Sequence, residues 1–471
     1  MPKWRGPVAA LRPGHERPEA PVLLSGWGRT APSAARLLVA RDADEVVEAL
    51  IHGGGCRGRA VIARGLGRSY GDAAQCAGGL VIETTGLDQI GPIDSAGTVT
   101  VGAGVSLATL LRVALPQGWF VPVTPGTRQV TIGGAIAADI HGKNHHRDGS
   151  FCRHVVSMTL ATPTGVHEVS PESDPELFWA TAGGMGLTGV LLGAQLRLRP
   201  VQTAWMRVDA ERHGCLDAVL EALERLDATH PYSVAWLDCS ARRGALGRGV
   251  VDAGDHASLS ELGPGARRNP LAPPGDARVQ IPALPKSLVN EASVAAFNRL
   301  WYAKSTPRSG RLRHLGGFFH PLDAVAGWNG LFGPRGFVQY QFVVPPDHPE
   351  VVARALELLQ QTRAPCSMAV LKRFGLADPG PLSFPMAGWT LALDLPLGPA
   401  GLRQALRTLD QLVLEAGGRI YLAKDARLDP ATFAAMYPRL GDFERTRRRV
   451  DPEGILQSDL SRRLRIAPVA P

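Results

Sequence analysis

Apolar and polar positions along this chain switch repeatedly between a helical repeat and a strict alternation, and the switches mark its elements. Asp42-Ala-Asp-Glu45 has capping-box spacing and precedes one apolar stripe, Val46, Val47, Leu50 and Ile51, before Gly53-Gly-Gly55, so a helix is predicted there. Arg59-Ala-Val-Ile-Ala63 reads as a short buried strand. Strands are predicted over 79–83 and 98–102, a helix over 106–115, a hairpin from 155–160 and 166–169 about Thr162-Pro-Thr-Gly165, a helix over 174–180 and a half-exposed strand over 189–199. No repeating strand–helix–strand period runs through these residues, which predicts an α+β fold. Beyond about 201, strands over 232–238, 336–344, 367–374 and 389–395 accompany helices over 350–362 and 402–416, the pattern of a mainly antiparallel sheet with helices on one face. Residues 244–285 are rich in Pro, Gly and Ala with little periodicity and are expected to form a mobile loop. The stretch 418–425 reads as a strand leading into helices. The expected division is a disordered tail over 1–20, a first domain over 21–202, a second over 203–417, and a segment over 418–471 that returns to the cleft between them.

Length and composition agree with two soluble domains: 471 residues, 45% hydrophobic and 20% charged. No apolar run approaches the roughly 20 residues of a spanning helix, and the Pro- and Arg-rich N-terminus lacks an apolar signal core, so export by the ordinary route is not expected. Six cysteines without metal-type spacing predict reduced thiols and no zinc site. His141, His145 and His146 lack the carboxylate or cysteine that would complete a metal set, and no metal is expected. The net charge of +8 suits an acidic substrate or an anionic lipid surface, whereas no groove-reading motif supports nucleic-acid binding. Arg445, Arg447, Arg448 and Arg449 read as a solvated helix face.

Two glycine-rich runs change this picture: Ala63-Arg-Gly-Leu-Gly-Arg-Ser-Tyr-Gly-Asp72 and Pro125-Gly-Thr-Arg-Gln-Val-Thr-Ile-Gly-Gly-Ala135. Unobstructed main-chain N–H groups in such runs can hold a diphosphate. Neither run has Gly-x-Gly-x-x-Gly spacing at a helix start or a Gly-Lys-Ser/Thr, so the nicotinamide and P-loop readings lose ground.

Together with Tyr421-Leu-Ala-Lys424, these runs resemble the vanillyl-alcohol-oxidase-like (PCMH-type) FAD flavoproteins, a two-domain α+β family with a discontinuous FAD-binding domain. More narrowly, Ser25-Gly-Trp-Gly-Arg-Thr-Ala-Pro32, Asp139-Ile-His-Gly-Lys-Asn-His-His146, Phe319-His-Pro-Leu322, Gln339-Tyr-Gln-Phe342 and Met436-Tyr-Pro438 are similar to the decaprenylphosphoryl-ribose 2′-oxidase branch of that family, over roughly residues 22–466. The resemblance implies FAD as cofactor, with the diphosphate on Ala63, Arg64, Gly65, Leu66, Gly67, Arg68, Ser69, Tyr70, Gly71 and Asp72. Gly126, Thr131, Ile132, Gly133, Gly134, Ala138, Asp139, Ile140 and His141 would line the rest, closed by Leu191 and Tyr421. Many members carry a histidine, covalently bonded to the flavin, where this chain has Arg68; arginine cannot play that part, which implies non-covalent FAD.

The activity implied is oxidation of the 2′-hydroxyl of a polyprenyl-phosphoryl ribose, half of an epimerisation that makes the arabinose donor for cell-wall polysaccharide, with a separate NAD(P)H-dependent reductase completing it. Lys424 is the candidate catalytic residue, either as a neutral base or as a charged partner of the alkoxide. The period of two on 337–342 puts Gln339 and Gln341 on one face, toward sugar hydroxyls or flavin edges. Lys143, Lys372 and Tyr70 are further substrate-binding candidates. Thr390 and Ala392 stand where the branch has asparagine and cysteine. Two other readings remain open: an oxidase of a soluble sugar, aldonolactone or 2-hydroxy acid, and a non-catalytic flavin-binding partner of a reductase. A lipid-linked substrate implies peripheral membrane contact. The expected location is the cytoplasm or the periphery of the inner membrane, with the envelope suggested by the resemblance.

Overall fold

The computed structural model describes residues 20–50, 60–282 and 284–466. The N-terminal tail, the helix stop at Gly53-Gly-Gly55 and Cys56 lie outside the described residues. In the first part, strands Ser33–Val39, Leu80–Glu83 and Val61–Arg64 run parallel, with Val22–Leu24 antiparallel at the edge. Beside them an antiparallel sheet holds Thr98–Gly102, Val190–Arg197, Val155–Thr162 and Gly165–Val169 in that spatial order. Helix Leu107–Ala114 is capped by the Ser106 side chain, which accepts the Thr109 N–H at 3.0 Å, and its Leu107, Leu110 and Leu111 are buried.

The second part is one antiparallel sheet of eight strands. Its order is Arg308–His314, Trp205–His213, Gly249–His256, Tyr232–Leu237, Met368–Phe374, Gly388–Pro396, Phe337–Val344 and Arg419–Ile420. Helices Leu216–Asp227, Glu350–Thr362 and Leu402–Glu415 bury apolar stripes beside one another and the sheet. Alternation on Phe337–Val344 sends Tyr340 to the helix side, where its hydroxyl donates to Asp410 at 3.0 Å, and leaves Gln339 and Gln341 for the other face.

Four expectations need correction. Residues 244–285 are not one patternless loop, because Gly249–His256 is an interior strand with Val250, Val251 and Ala253 buried; two glycines and two aspartates dilute its alternation. The strand expected over 418–425 stops at Ile420, and Lys424 sits in the turn that follows. Helix Glu291–Lys304, which carries no clean apolar period, and strand Trp205–His213, whose alternation of Met206, Val208 and Ala210 with polar residues was readable, were not predicted. Arg447 is buried, not solvated: its guanidinium donates to Leu456 O at 2.6 Å and Ile466 O at 3.1 Å and pairs with Asp451.

The C-terminal segment lies against the first part. Val61 and Leu456 form a bridge, and Arg463 pairs with both Asp72 and Asp425 at 2.8 Å.

Candidate functional site

A cavity of about 300 Å³ lies between the glycine runs and the inner face of the eight-stranded sheet. Its first wall is main chain. Strand Val61–Arg64 delivers the loop 65–72, and among the described residues the N–H groups of Gly65 to Ser69 meet no protein acceptor. Gly67, at φ 62°, curls this run in the left-handed sense, the arrangement by which successive amides hold an anion. The Arg68 guanidinium lies 4.0 Å over the Trp27 ring, and its buried Nε has no partner. Across from it, a Cβ on Gly126 would meet no protein atom within 4 Å, so the space beside this glycine is open. Thr131 caps the short helix Ile132–Ala137 by accepting the Gly134 N–H at 3.1 Å.

The second wall is side chains. Gln339 donates to the Tyr70 hydroxyl at 3.1 Å and to the buried carboxylate of Asp394. Gln341 donates to His141 Nε2 at 2.9 Å and to Thr390 Oγ1 at 3.2 Å. That bond makes Nε2 the acceptor and leaves the imidazole proton on Nδ1, which is buried without a partner. Burial, followed by the charges of Lys372, His145 and Lys424, holds His141 well below its ordinary pKa, so the ring is neutral. Lys424 Nζ lies 3.9 Å from the centre of the Tyr70 ring. Burial lowers its pKa, opposed by the Asp394 charge and assisted by that of Lys372. Burial alone takes Lys372 down to about 8. Asp394 is shifted upward by burial, against its bond from Gln339 and the charge of Lys424. The wall therefore holds two amines that exchange protons more readily than ordinary lysines, set among amides and aromatic rings.

Of the residues singled out in the sequence, Ala63, Gly65 to Tyr70, Gly126, Thr131, Gly133, Gly134, Ala138, Ile140, His141, Leu191, Gln339, Gln341, Lys372, Tyr421 and Lys424 line this cavity. Six others do not. Arg64 points behind its loop, donating to Ser25 O at 2.8 Å and Ala74 O at 3.0 Å. Gly71 is a close-approach point, since a Cβ there would overlap the carbonyl oxygen of Asp425. Asp72 is held by the Arg463 fork. Ile132 is core, and Asp139 is fully buried, accepting from Ser383 and from Cys152 N–H. Lys143 is enclosed elsewhere, donating to Phe318 O at 2.6 Å from over that residue's ring, and burial brings it down to about 7. Gly71 and Asp72 nevertheless matter, because with Tyr70 N–H donating to Ala423 O at 2.9 Å they tie the glycine loop to the turn that carries Lys424, Gly71 by its close approach to Asp425 and Asp72 through Arg463.

Trp27, Trp328, Met368 and Val370 also line the cavity and were not singled out. The two strand residues share the face of Lys372, at a period of two on Met368–Phe374. The tryptophans come from loops about 300 positions apart, and no local signal joins them.

Comparison with known proteins decides the family. An FAD-binding-domain model matches residues 34–170, and a D-arabinono-1,4-lactone oxidase model matches 399–464. The decaprenylphosphoryl-β-D-ribose oxidase of Mycolicibacterium smegmatis is 44% identical over 457 residues, covering 96% of this chain and 99% of the relative. The chain belongs to the decaprenylphosphoryl-ribose oxidase family. An uncharacterized Streptomyces coelicolor protein is 40% identical over 76% of this chain and all of its own length. The L-gulono-1,4-lactone dehydrogenase of Mycobacterium tuberculosis is 23% identical over 87% of this chain and 91% of its own. The cofactor of the family is FAD, and the site fits it: free amides with the orphaned Arg68 Nε suit a diphosphate, and the opening beside Gly126 and the orphaned His141 Nδ1 leave room and a donor for the rest.

Proposed function

We propose that this protein oxidises the ribose 2′-hydroxyl of a polyprenyl-phosphoryl-β-D-ribose to the 2′-ketone. The observation that carries this reading is the meeting of Lys424, Lys372, Gln339 and Gln341 on one wall of the cavity whose other wall is the glycine cradle. Bound FAD supplies a two-electron acceptor for the hydride leaving C2. The chain's own side chains must orient the sugar and take the hydroxyl proton. Lys424 is lowered toward neutrality by burial, so a fraction of it is free amine able to accept that proton, and the ammonium formed stays beside Asp394. Lys372 offers a charge for the phosphate, and the Gln amides offer donors to the ring hydroxyls. Ala392 in the lining leaves more space than the cysteine of the branch pattern would.

Anaerobic mixing with a short-chain polyprenyl-phosphoryl ribose should bleach the flavin band near 450 nm, with free ribose 5-phosphate and an aldonolactone much slower. Bleaching by the lactone alone would favour the soluble-substrate reading, to which the C-terminal lactone-oxidase match and the M. tuberculosis dehydrogenase lend support. No bleaching by any of them would leave the non-catalytic reading. The FAD is non-covalent in this proposal, since Arg68 cannot bond to it. Acid precipitation should release the yellow colour to the supernatant, and colour kept in the pellet would contradict it. A separate NAD(P)H-dependent reductase would consume the ketone. No helix among the described residues is long and apolar enough to cross a membrane. The proposed location is the membrane periphery, where such a substrate resides.

A further inference from the structure

We infer that the outward face of helix Glu291–Lys304, together with Leu288, is a docking surface for an anionic lipid bilayer. The helix turns its large side chains the wrong way for a core element. Its buried residues are Val294 and Asn298, whose amide donates to Asp238 at 3.0 Å, and the half-buried Tyr302 donates its hydroxyl to His213 O at 3.2 Å. Phe297, Leu300 and Trp301, at the one-face spacing of i, i+3 and i+4, are instead 53%, 54% and 44% exposed, and Leu288 is 57% exposed. The Phe297 and Trp301 rings stack at 6.1 Å, so they form one apolar surface.

The charge around this patch selects the occupant. Lys286, Arg299, Lys304, Arg308 and Arg311 are exposed, and none is paired with a carboxylate among the described residues. The one acid between 286 and 311, Glu291, faces Arg242 at 3.6 Å. Exposed apolar side chains on a segment whose exposed cations have no carboxylate partner match an anionic membrane surface, where the rings enter the interface and the cations meet headgroups. A second copy of this chain fits poorly, because a two-fold contact would set these cations against themselves.

The patch is also continuous with the site. Leu288 N–H donates to Leu331 O at 2.8 Å, and Val289 packs on the cluster of Tyr70, Phe332, Phe337, Trp27 and Trp328. Tyr70, Trp27 and Trp328 line the cavity. If the substrate is lipid-linked as proposed above, Val289 and this aromatic cluster lie between Leu288 and the cavity where its tail would run; the docking itself does not depend on that reading.

The test is co-sedimentation of the full-length FAD-bound protein with vesicles of phosphatidylcholine alone or with 30% phosphatidylglycerol. Wild type should bind the anionic vesicles and lose most of that binding at 0.5 M NaCl. F297S/W301S and, separately, K304E/R308E should each lower the bound fraction about tenfold, with flavin content and melting temperature unchanged. Both variants should reduce flavin at the wild-type rate on a short-tailed, detergent-dispersed substrate. Wild type that ignores anionic vesicles, or variants that bind them as well as wild type, would overturn the inference. So would a wild-type dimer in gel filtration that F297S/W301S converts to monomer. Vesicle binding with no flavin reduction by any lipid-linked sugar would keep this inference and defeat the functional proposal instead.

Discussion

The two walls of the cavity are built on opposite principles. The glycine wall works by leaving side chains out: amides of Gly65 to Ser69 stay free, and Gly71 lets the loop press against the Asp425 carbonyl. The sheet wall works by putting side chains in, on a period of two, and by burying amines until their protons become mobile. One wall therefore responds chiefly to added atoms, with Arg68 as its charge, while the other responds chiefly to changes in the charge of its buried amines and carboxylate.

Substitutions can break this contrast, and the largest effect is expected at Lys424. Lys424→Ala should slow anaerobic flavin reduction by roughly 10²-fold or more, the usual scale for a lost general base, while flavin content by absorbance stays near wild type. Next comes the glycine wall. Gly71→Ala forces a methyl into the Asp425 carbonyl, so it should lower the melting temperature and flavin content together, whereas the Cβ of Gly126→Ala meets no protein atom within 4 Å and should lower flavin affinity without changing the melting of the flavin-free protein. If both glycine variants behave alike, the wall is a single structural unit and the contrast fails.

Lys143 gives a stability effect without a site effect. Its pKa falls from the ordinary 10.5 to about 7 on folding, so the unfolded chain holds a proton that the folded chain has lost between those values. Stability should rise with pH through that window, by at most about 1.4 kcal/mol per unit. Below pH 7 the folded state carries the full burial penalty. Lys143→Met should flatten the slope in urea unfolding at pH 6, 8 and 10; an unchanged slope would place the ammonium in water. The smallest effect is expected at Asp394, which touches the site through Gln339. Asp394→Asn removes a charge that raises the Lys424 pKa, so the rising limb of the flavin-reduction pH profile should move to lower pH, with the rate at its plateau changed less than about tenfold. Movement to higher pH would reverse the assigned sign.

Legibility in the sequence divides along the same line. The glycine wall was readable because an empty side-chain position is itself the signal, and strand Thr98–Gly102, helix Glu350–Thr362 and the helix that begins after Ser106 follow directly from local pattern. Direction within the loop was not readable: Arg64 and Asp72 flank free amides in sequence yet turn to main-chain carbonyls of Ser25 and Ala74 and to Arg463 of the returning C-terminal segment, partners that no local pattern names. On the sheet wall, alternation located Gln339 and Gln341, and Lys372 was named as a cation for the substrate. Lys424 was located through its apolar neighbours, although it occupies a turn and not a strand. Lys143 was proposed from its place in the His-Gly-Lys-Asn loop, and it fails to reach the cavity because Phe318 captures its ammonium from another part of the fold.

The decisive measurement is single-turnover flavin reduction, followed near 450 nm without oxygen, for wild type and Lys424→Ala with a polyprenyl-phosphoryl ribose. Rapid bleaching in wild type and a flavin-loaded variant that bleaches at least about 10²-fold more slowly is the predicted result. Equal rates in the two proteins would contradict the account.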